Sequence, residues 1–391
     1  MDFSFSSLFD FSQIELIIAG ALLFFFIIQL FFYLALYKKP YSYELKREKS
    51  EIENENYPSV SVIIASKNES EDLEKNLPFV LNQDYPNFEV IVVNSGSTDE
   101  TDMILKSFDQ QHSHLYHTFI PADAEDVNTK KLALTLGIKA AKNDILLFTE
   151  AYCKPISNQW IKEFAKEFAK GHEIVLGYCK LHIDKKVAMR GFILYDNLIH
   201  CLKYLSMAIS RKPFMGIGRN LAYKKELFFK EKGFSSILKI EGGEDDLFIN
   251  KIANKKNTGV VISPESMIET DVVSRFSVWR SFKSKYLYTK QFYKGFASRV
   301  FFWETLSKYL FYLFLVAAIT FGIIYSEFLL IGFSALLFII RYIIQVLIIN
   351  KNSRLLDAGK YHINLLFFDI FQPFNNFRFR RYINKRNRFR K

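Results

Sequence analysis

Carboxylates occupy three places in this chain where they could act on a substrate. Glu244-Asp245-Asp246 follow Gly242-Gly243, Glu150 closes a short apolar run before Ala151-Tyr152-Cys153, and Asn68-Glu69 follow another such run. A carboxylate can take the proton of an attacking hydroxyl, and its oxygens suit hard cations such as Mg2+ or Mn2+. Lys130-Lys131 and the segment Gly216-Ile217-Gly218-Arg219-Asn220-Leu221-Ala222-Tyr223 add cations and bare backbone. Each feature also has an ordinary structural reading. Three acids at a helix start are a capping pattern. Asn-Glu after a strand is a turn and cap, and paired lysines at a helix start are usually solvated. Glycines mark a flexible loop.

The elements that must hold these residues are legible from periodicity. Residues 60–65, 89–93 and 145–148 are short apolar, mostly β-branched runs, and 173–176 is a weaker one. Separated by helical stretches at 73–81, 100–111 and 130–141, they predict strands buried on both faces of a mainly parallel sheet. Ligands of such sheets bind beyond the carboxyl ends of the strands, where Asn68, Glu69, Ser95 and Glu150 fall. After residue 180 the strand signal fades. Residues 187–210 read as a helix with Phe192, Leu194, Tyr195, Leu198, Ile199, Leu202 and Leu205 on one face, and 245–253 as a second helix opened by acids.

The series PSVSVIIASKNES (58–70), EVIVVNSGSTDET (89–101), DILLFTEAYCKP (144–155) and EGGEDDLFIN (241–250) resembles the catalytic domain of glycosyltransferase family 2. The resemblance covers about residues 57–300. It implies an α/β, GT-A fold: a Rossmann-like nucleotide-binding half followed by an acceptor half. It also implies that Ala65, Asn68 and Glu69 approach the base and ribose of a nucleotide-sugar donor, and that Lys130 meets its diphosphate. Gly218, Arg219, Asn220 and Asp246 fall on the acceptor side. Asp245 takes the place of the general base of an inverting transfer, with Glu244 beside it. The family's Asp-x-Asp, which holds ribose and a divalent metal, is here Glu150-Ala151-Tyr152. Glu150 is the remaining ligand for Mg2+ or Mn2+, and Tyr152 removes the other carboxylate. Ser95 stands where an aspartate usually contacts the base. Two readings follow: a transferase, or a catalytically degenerate scaffold that keeps the fold. The Gln-x-x-Arg-Trp motif of processive members is absent from 278–293, which disfavours polysaccharide synthesis. The aromatic and basic residues there suit a helix at a membrane surface.

Composition places the domain between apolar ends. Half the residues are hydrophobic and 41 are Phe. Cys153, Cys179 and Cys201 have no metal-ligand spacing, as suits a reducing compartment. Residues 14–37 are apolar over a length that crosses about 30 Å of hydrocarbon at about 1.5 Å per residue. A further pair of spans is expected at 309–325 and 328–349, interrupted by Arg341, which would snorkel or face a neighbouring helix. From 341 to 391 the chain carries 12 Lys+Arg against 2 Asp+Glu, so +10 of its +11 net charge lies there. Residues 361–391 then read as an interfacial helix and basic tail for anionic lipids, or as a disordered tail; nucleic acid is not the expected partner. The positive-inside rule puts 1–13 outside, and the 38–57 linker and 58–300 domain in the cytoplasm. The expected place is a bacterial inner membrane, and the expected acceptor a membrane lipid or lipid-linked glycan. Three spans leave few helices for a transporter pathway.

Overall fold

The computed structural model describes residues 12–50, 57–121 and 129–388. Of the expected segments, the external terminus up to residue 11, positions 51–56 of the linker and positions 389–391 of the basic tail lie outside these residues. The chain divides into an α/β unit (40–294, 353–359 and 376–391) and a helical unit (1–39, 295–352 and 360–375).

The strands of the α/β unit are β1 (Val60–Ser66), β2 (Phe88–Asn94), β3 (Leu115–Phe119), β4 (Ile145–Thr149), β5 (Lys154–Pro155), β6 (Ile174–Leu176), β7 (Cys179–Leu181), β8 (Leu221–Lys224), β9 (Thr258–Val260) and β10 (Ile268–Thr270). The main sheet runs β3-β2-β1-β4-β8-β6-β9, and a smaller sheet runs β5-β10-β7. β1, β2, β3 and β4 are mutually parallel, and β8 is antiparallel to both β4 and β6. Every residue of β1 and β4 is buried, the mark of strands covered on both faces. Of the two buried serines of β1, Ser61 and Ser66, the Ser61 hydroxyl donates to Glu89 Oε1 at 2.6 Å and accepts from the Asn143 amide at 3.2 Å. The helix Thr129–Ala140 lies close on the sheet because Gly137 has no side chain: a Cβ there would sit 2.8 Å from Ile63 Cγ2. This contact fixes the helix that carries Lys130.

The sequence reading did not foresee β3, β5, β7, β8, β9 and β10. Except for β3 they are two to four residues long, too short for alternation to register. Part of the expected linker is helical, Lys39–Ser50, and Arg47 is buried there between Glu44 at 3.2 Å and Glu163.

The helical unit holds Gln13–Phe31, which continues through a π-helical turn at Phe32–Tyr37, then Ala297–Tyr325 and Phe328–Leu355. Among the described residues three helices are long and apolar enough to cross a membrane. Leu22, Phe26, Phe311, Leu315, Ala318, Leu330 and Leu337 form the shared core, while Ile17, Phe24, Val316, Ile323 and Leu347 stay exposed. Arg341 does not snorkel. It is fully buried, donating to Asp369 Oδ2 at 2.9 Å, Tyr312 Oη at 3.0 Å and Gln29 Oε1 at 3.1 Å. Asp369 lies on a helix, Asn364–Arg388, that runs on through Pro373.

Candidate active site

The carboxyl ends of β1, β2 and β4 supply one side of the site. The loops after β1 and β2 are knitted together: the Asn68 amide donates to Ser97 Oγ at 2.8 Å, and the Thr98 amide donates to Asn68 Oδ1 at 2.8 Å. Asn68 sits at φ 53°, a left-handed conformation that Asn tolerates. Asp99 accepts from the Ser70 amide at 3.0 Å and the Thr101 amide at 3.2 Å, so one carboxylate tethers two helix starts. Ser95 is buried and its amide donates to the Ser66 carbonyl at 2.8 Å. Ala65 is buried at the end of β1. Burial, with the Glu150 charge adding to it, pushes the Glu69 carboxyl up to about 7.

The other side comes from the acid loop. Gly242 and Gly243 take φ of 76° and 87°, open to glycine without strain. Asp245 caps the helix Asp246–Ile252 through the Asp246 amide at 2.7 Å. Its second oxygen accepts from the Gly218 amide and from the Tyr286 hydroxyl, each at 2.8 Å. Gly218 permits that approach, since a Cβ there would lie 3.3 Å from the same oxygen. Burial, then the Glu244 charge, push the Asp245 carboxyl above the usual range. Asp246 is more deeply set and accepts from the hydroxyls of Thr289 and Tyr293 (the latter at 2.6 Å); burial and the Asp245 charge push it up to about 8.

Lys130 joins the two sides. Its ammonium lies 2.6 Å from Glu150 Oε1 and 3.4 Å from Glu244 Oε1. Loss of water works against its charge, but Glu150 and Glu244 outweigh that and hold it well above the ordinary lysine range. Lys130, Glu150, Tyr152, Arg219, Glu244 and Asp245 all line one cleft. Asn220 turns away from it: its amide donates to the carbonyls of Tyr178 and Ser266, at 2.7 and 3.0 Å, and its oxygen accepts from the Trp160 indole at 2.9 Å.

The helix Phe276–Thr289, which the sequence suggested for a membrane surface, lines this cleft. Trp279 is buried, Phe282 packs 5.9 Å from the Tyr152 ring, the Arg219 guanidinium stands 5.6 Å over Phe282, and Tyr286 reaches Asp245. Sequence reasoning missed Phe282, Lys285, Tyr286, Thr289 and Tyr293. The signal was there: Trp279, Phe282, Tyr286 and Thr289 recur at steps of three and four, one helical face, and Tyr293 continues the spacing past the helix end.

A hard divalent cation does not fit the residues at Glu150. One oxygen of that carboxylate is already engaged by an ammonium at 2.6 Å. Burial, then the Glu150 charge, push the Tyr152 phenol well above its usual value, so it stays neutral and supplies no anionic oxygen. Among the described residues no group of three or more His, Cys, Asp or Glu is arranged to hold a metal ion.

Residues 61–230 match the family model described as glycosyl transferase family 2. No curated protein matches the chain. Among solved structures, the mannosyltransferase PcManGT from Pyrobaculum calidifontis, in complex with GDP-Man and Mn2+, is similar at a TM-score of 0.52 and 19% identity, covering 86% of this chain and 97% of that one. TarS residues 1–349 from S. aureus are similar at a TM-score of 0.41 and 16% identity, covering 68% and 74%. Residues 61–230 thus resemble glycosyl transferase family 2, the likeness to PcManGT supports a GT-A type fold, and the acid loop lies beyond the matched residues.

Proposed function

With a family 2 glycosyltransferase domain as the premise, we propose that the chain is a membrane-anchored inverting transferase. It moves one sugar from a nucleotide-sugar to a membrane-associated acceptor, a lipid or a lipid-linked glycan. The observation that carries this reading is the Asp245 carboxylate, held by the Gly218 amide and the Tyr286 hydroxyl on the cleft that Lys130 and Glu150 also line. The acceptor oxygen attacks the anomeric carbon, the bond from that carbon to the diphosphate oxygen breaks, and its electron pair leaves with the diphosphate. Asp245 takes the acceptor proton. A carboxyl shifted toward neutrality is a stronger base than an ordinary one.

Ala65, Asn68, Glu69 and Ser95 serve the donor base and ribose at the strand ends. Gly218 and Arg219 face the acceptor, with Asp246 and Asn220 supporting them from the interior. GDP-Man in PcManGT supports a nucleotide-sugar as the donor class. Three apolar helices support membrane anchoring. By the positive-inside rule the domain is cytoplasmic, at a bacterial inner membrane, with the basic tail toward anionic lipid.

The test is donor turnover by the full chain in detergent, with a panel of nucleotide-sugars and a lipid extract as acceptor. Release of nucleoside diphosphate that depends on the extract is expected. A second reading, a catalytically silent scaffold, rests on Ser95 and Tyr152. It expects neither turnover nor nucleotide binding with any donor, and that outcome would overturn the transferase.

A further inference from the structure

We propose that Lys130 takes the place of the divalent cation, so that this chain holds the diphosphate of its donor without metal. The inference rests on the transferase reading above and concerns the same cleft. Its basis is geometric. The Lys130 ammonium bridges a carboxylate at the end of β4, Glu150, and one from the acid loop, Glu244, at 2.6 and 3.4 Å. A metal at Glu150 would share that carboxylate with the ammonium, and like charges so close repel strongly where water is scarce. The position that would offer a second anionic ligand carries the Tyr152 phenol instead. Two more cations line the same cleft: Arg219, buried beneath Phe282, and Lys285.

An ammonium has three N–H donors. Lys130 can therefore keep its short contact with Glu150 and turn the longer one, toward Glu244, onto a phosphate oxygen. When the bond between anomeric carbon and diphosphate breaks, the diphosphate gains one negative charge. A fixed ammonium stabilises that charge as it develops, as preorganised cations do in other transfer reactions. The acceptor proton goes to Asp245, so the step needs no further reactant. Tyr152 then has a reason to be there: an aspartate in its place would restore a metal site in competition with Lys130.

Calorimetric titration of the full chain in detergent with UDP, GDP, ADP and dTDP tests this, in EDTA and in Mn2+. The expected result is one nucleotide bound about equally well in both, within about twofold. Lys130→Met should weaken that affinity by about ten- to a hundredfold, the worth of a charge-assisted hydrogen bond, while Lys130→Arg keeps most of it. Tyr152→Asp should bring in a dependence on Mn2+. Thermal melting checks that each variant is folded, and the comparison of EDTA with Mn2+ on the unaltered chain needs no variant. Wild-type binding that vanishes in EDTA, or unchanged binding by Lys130→Met, would overturn the role of Lys130 and leave the transferase standing. Binding of no nucleotide under either condition would remove both.

Discussion

Each unit of this chain contains a lysine set between two carboxylates, and the two clusters share their distances. Lys130 lies 2.6 Å from Glu150 and 3.4 Å from Glu244 in the α/β unit; Lys308 lies 2.6 Å from Asp369 and 3.4 Å from Glu304 in the helical unit. Exposure separates them. The Lys130 side chain is 38% exposed on a cleft, whereas that of Lys308 is 4% exposed. Asp369 also accepts from Arg341, whose guanidinium reaches Gln29 and Tyr312, so the second cluster is closed on itself. A closed network of charges among apolar helices fixes which helices meet. An open one can exchange a partner for a substrate. The same ion-pair chemistry is closed off in one unit and open to a ligand in the other.

The largest effects should come from removing the carboxylate at the centre of each cluster's surroundings. Asp245→Asn is expected to lower turnover by on the order of 10²–10⁴-fold, with nucleotide affinity nearly unchanged in calorimetry. Equal turnover would take Asp245 out of the mechanism. Asp369→Asn should instead leave the buried Arg341 without its anion and Lys308 with Glu304 alone, and cost about 3–5 kcal/mol in a denaturation measurement. Replacing Asp369, Lys308 and Arg341 together by apolar residues of similar volume, with Glu304→Gln so that no buried carboxylate is stranded, should recover most of that loss. A combined variant no better than the single one would mean that the charges do more than set packing.

Smaller effects read the electrostatics of the cleft. In the folded chain Asp246 keeps its proton up to about pH 8, while in the unfolded chain it ionises near pH 4. The folded state then binds the extra proton, so this group makes stability fall as pH rises from about 4 to about 8. Asp246→Asn should flatten that part of the melting-temperature profile. Glu244→Gln removes the like charge beside Asp245, which lowers the Asp245 pKa; the acid limb of the rate profile should move to lower pH. A shift the other way would mean that Glu244 acts chiefly through Lys130. The smallest effect is expected at the surface pair Lys106–Asp102, both more than half exposed, where Lys106→Ala should change stability by no more than about 0.5 kcal/mol.

The strands that carry the site were legible because β1, β2 and β4 are continuous apolar runs. The acid loop was legible because three acids behind two glycines form a local pattern. Arg341 was visible as an interruption of an apolar span, but its partners were not, since Gln29 is 312 residues away and Asp369 lies on another helix. The part that the helix Phe276–Thr289 plays in the cleft was not legible for a related reason. Its aromatic and basic residues suit a lipid surface and a cleft wall equally well, and composition does not distinguish the two.

The sequence by itself determined the resemblance to a family over residues 61–230, the parallel sheet, the apolar helices and the order of the polar motifs. These depend on interactions between residues close along the chain, or on burial that periodicity records. Only the tertiary structure decided that Lys130 stands between Glu150 and Glu244, that Tyr286 and Gly218 hold Asp245, and that Asn220 spends its amide inside the fold. Those contacts join segments from 20 to 114 positions apart, at distances set by Gly137 and Gly218 letting backbone and side chains approach. A carboxylate's charge is a property of its residue type. Its partner, and therefore its function, is a property of packing.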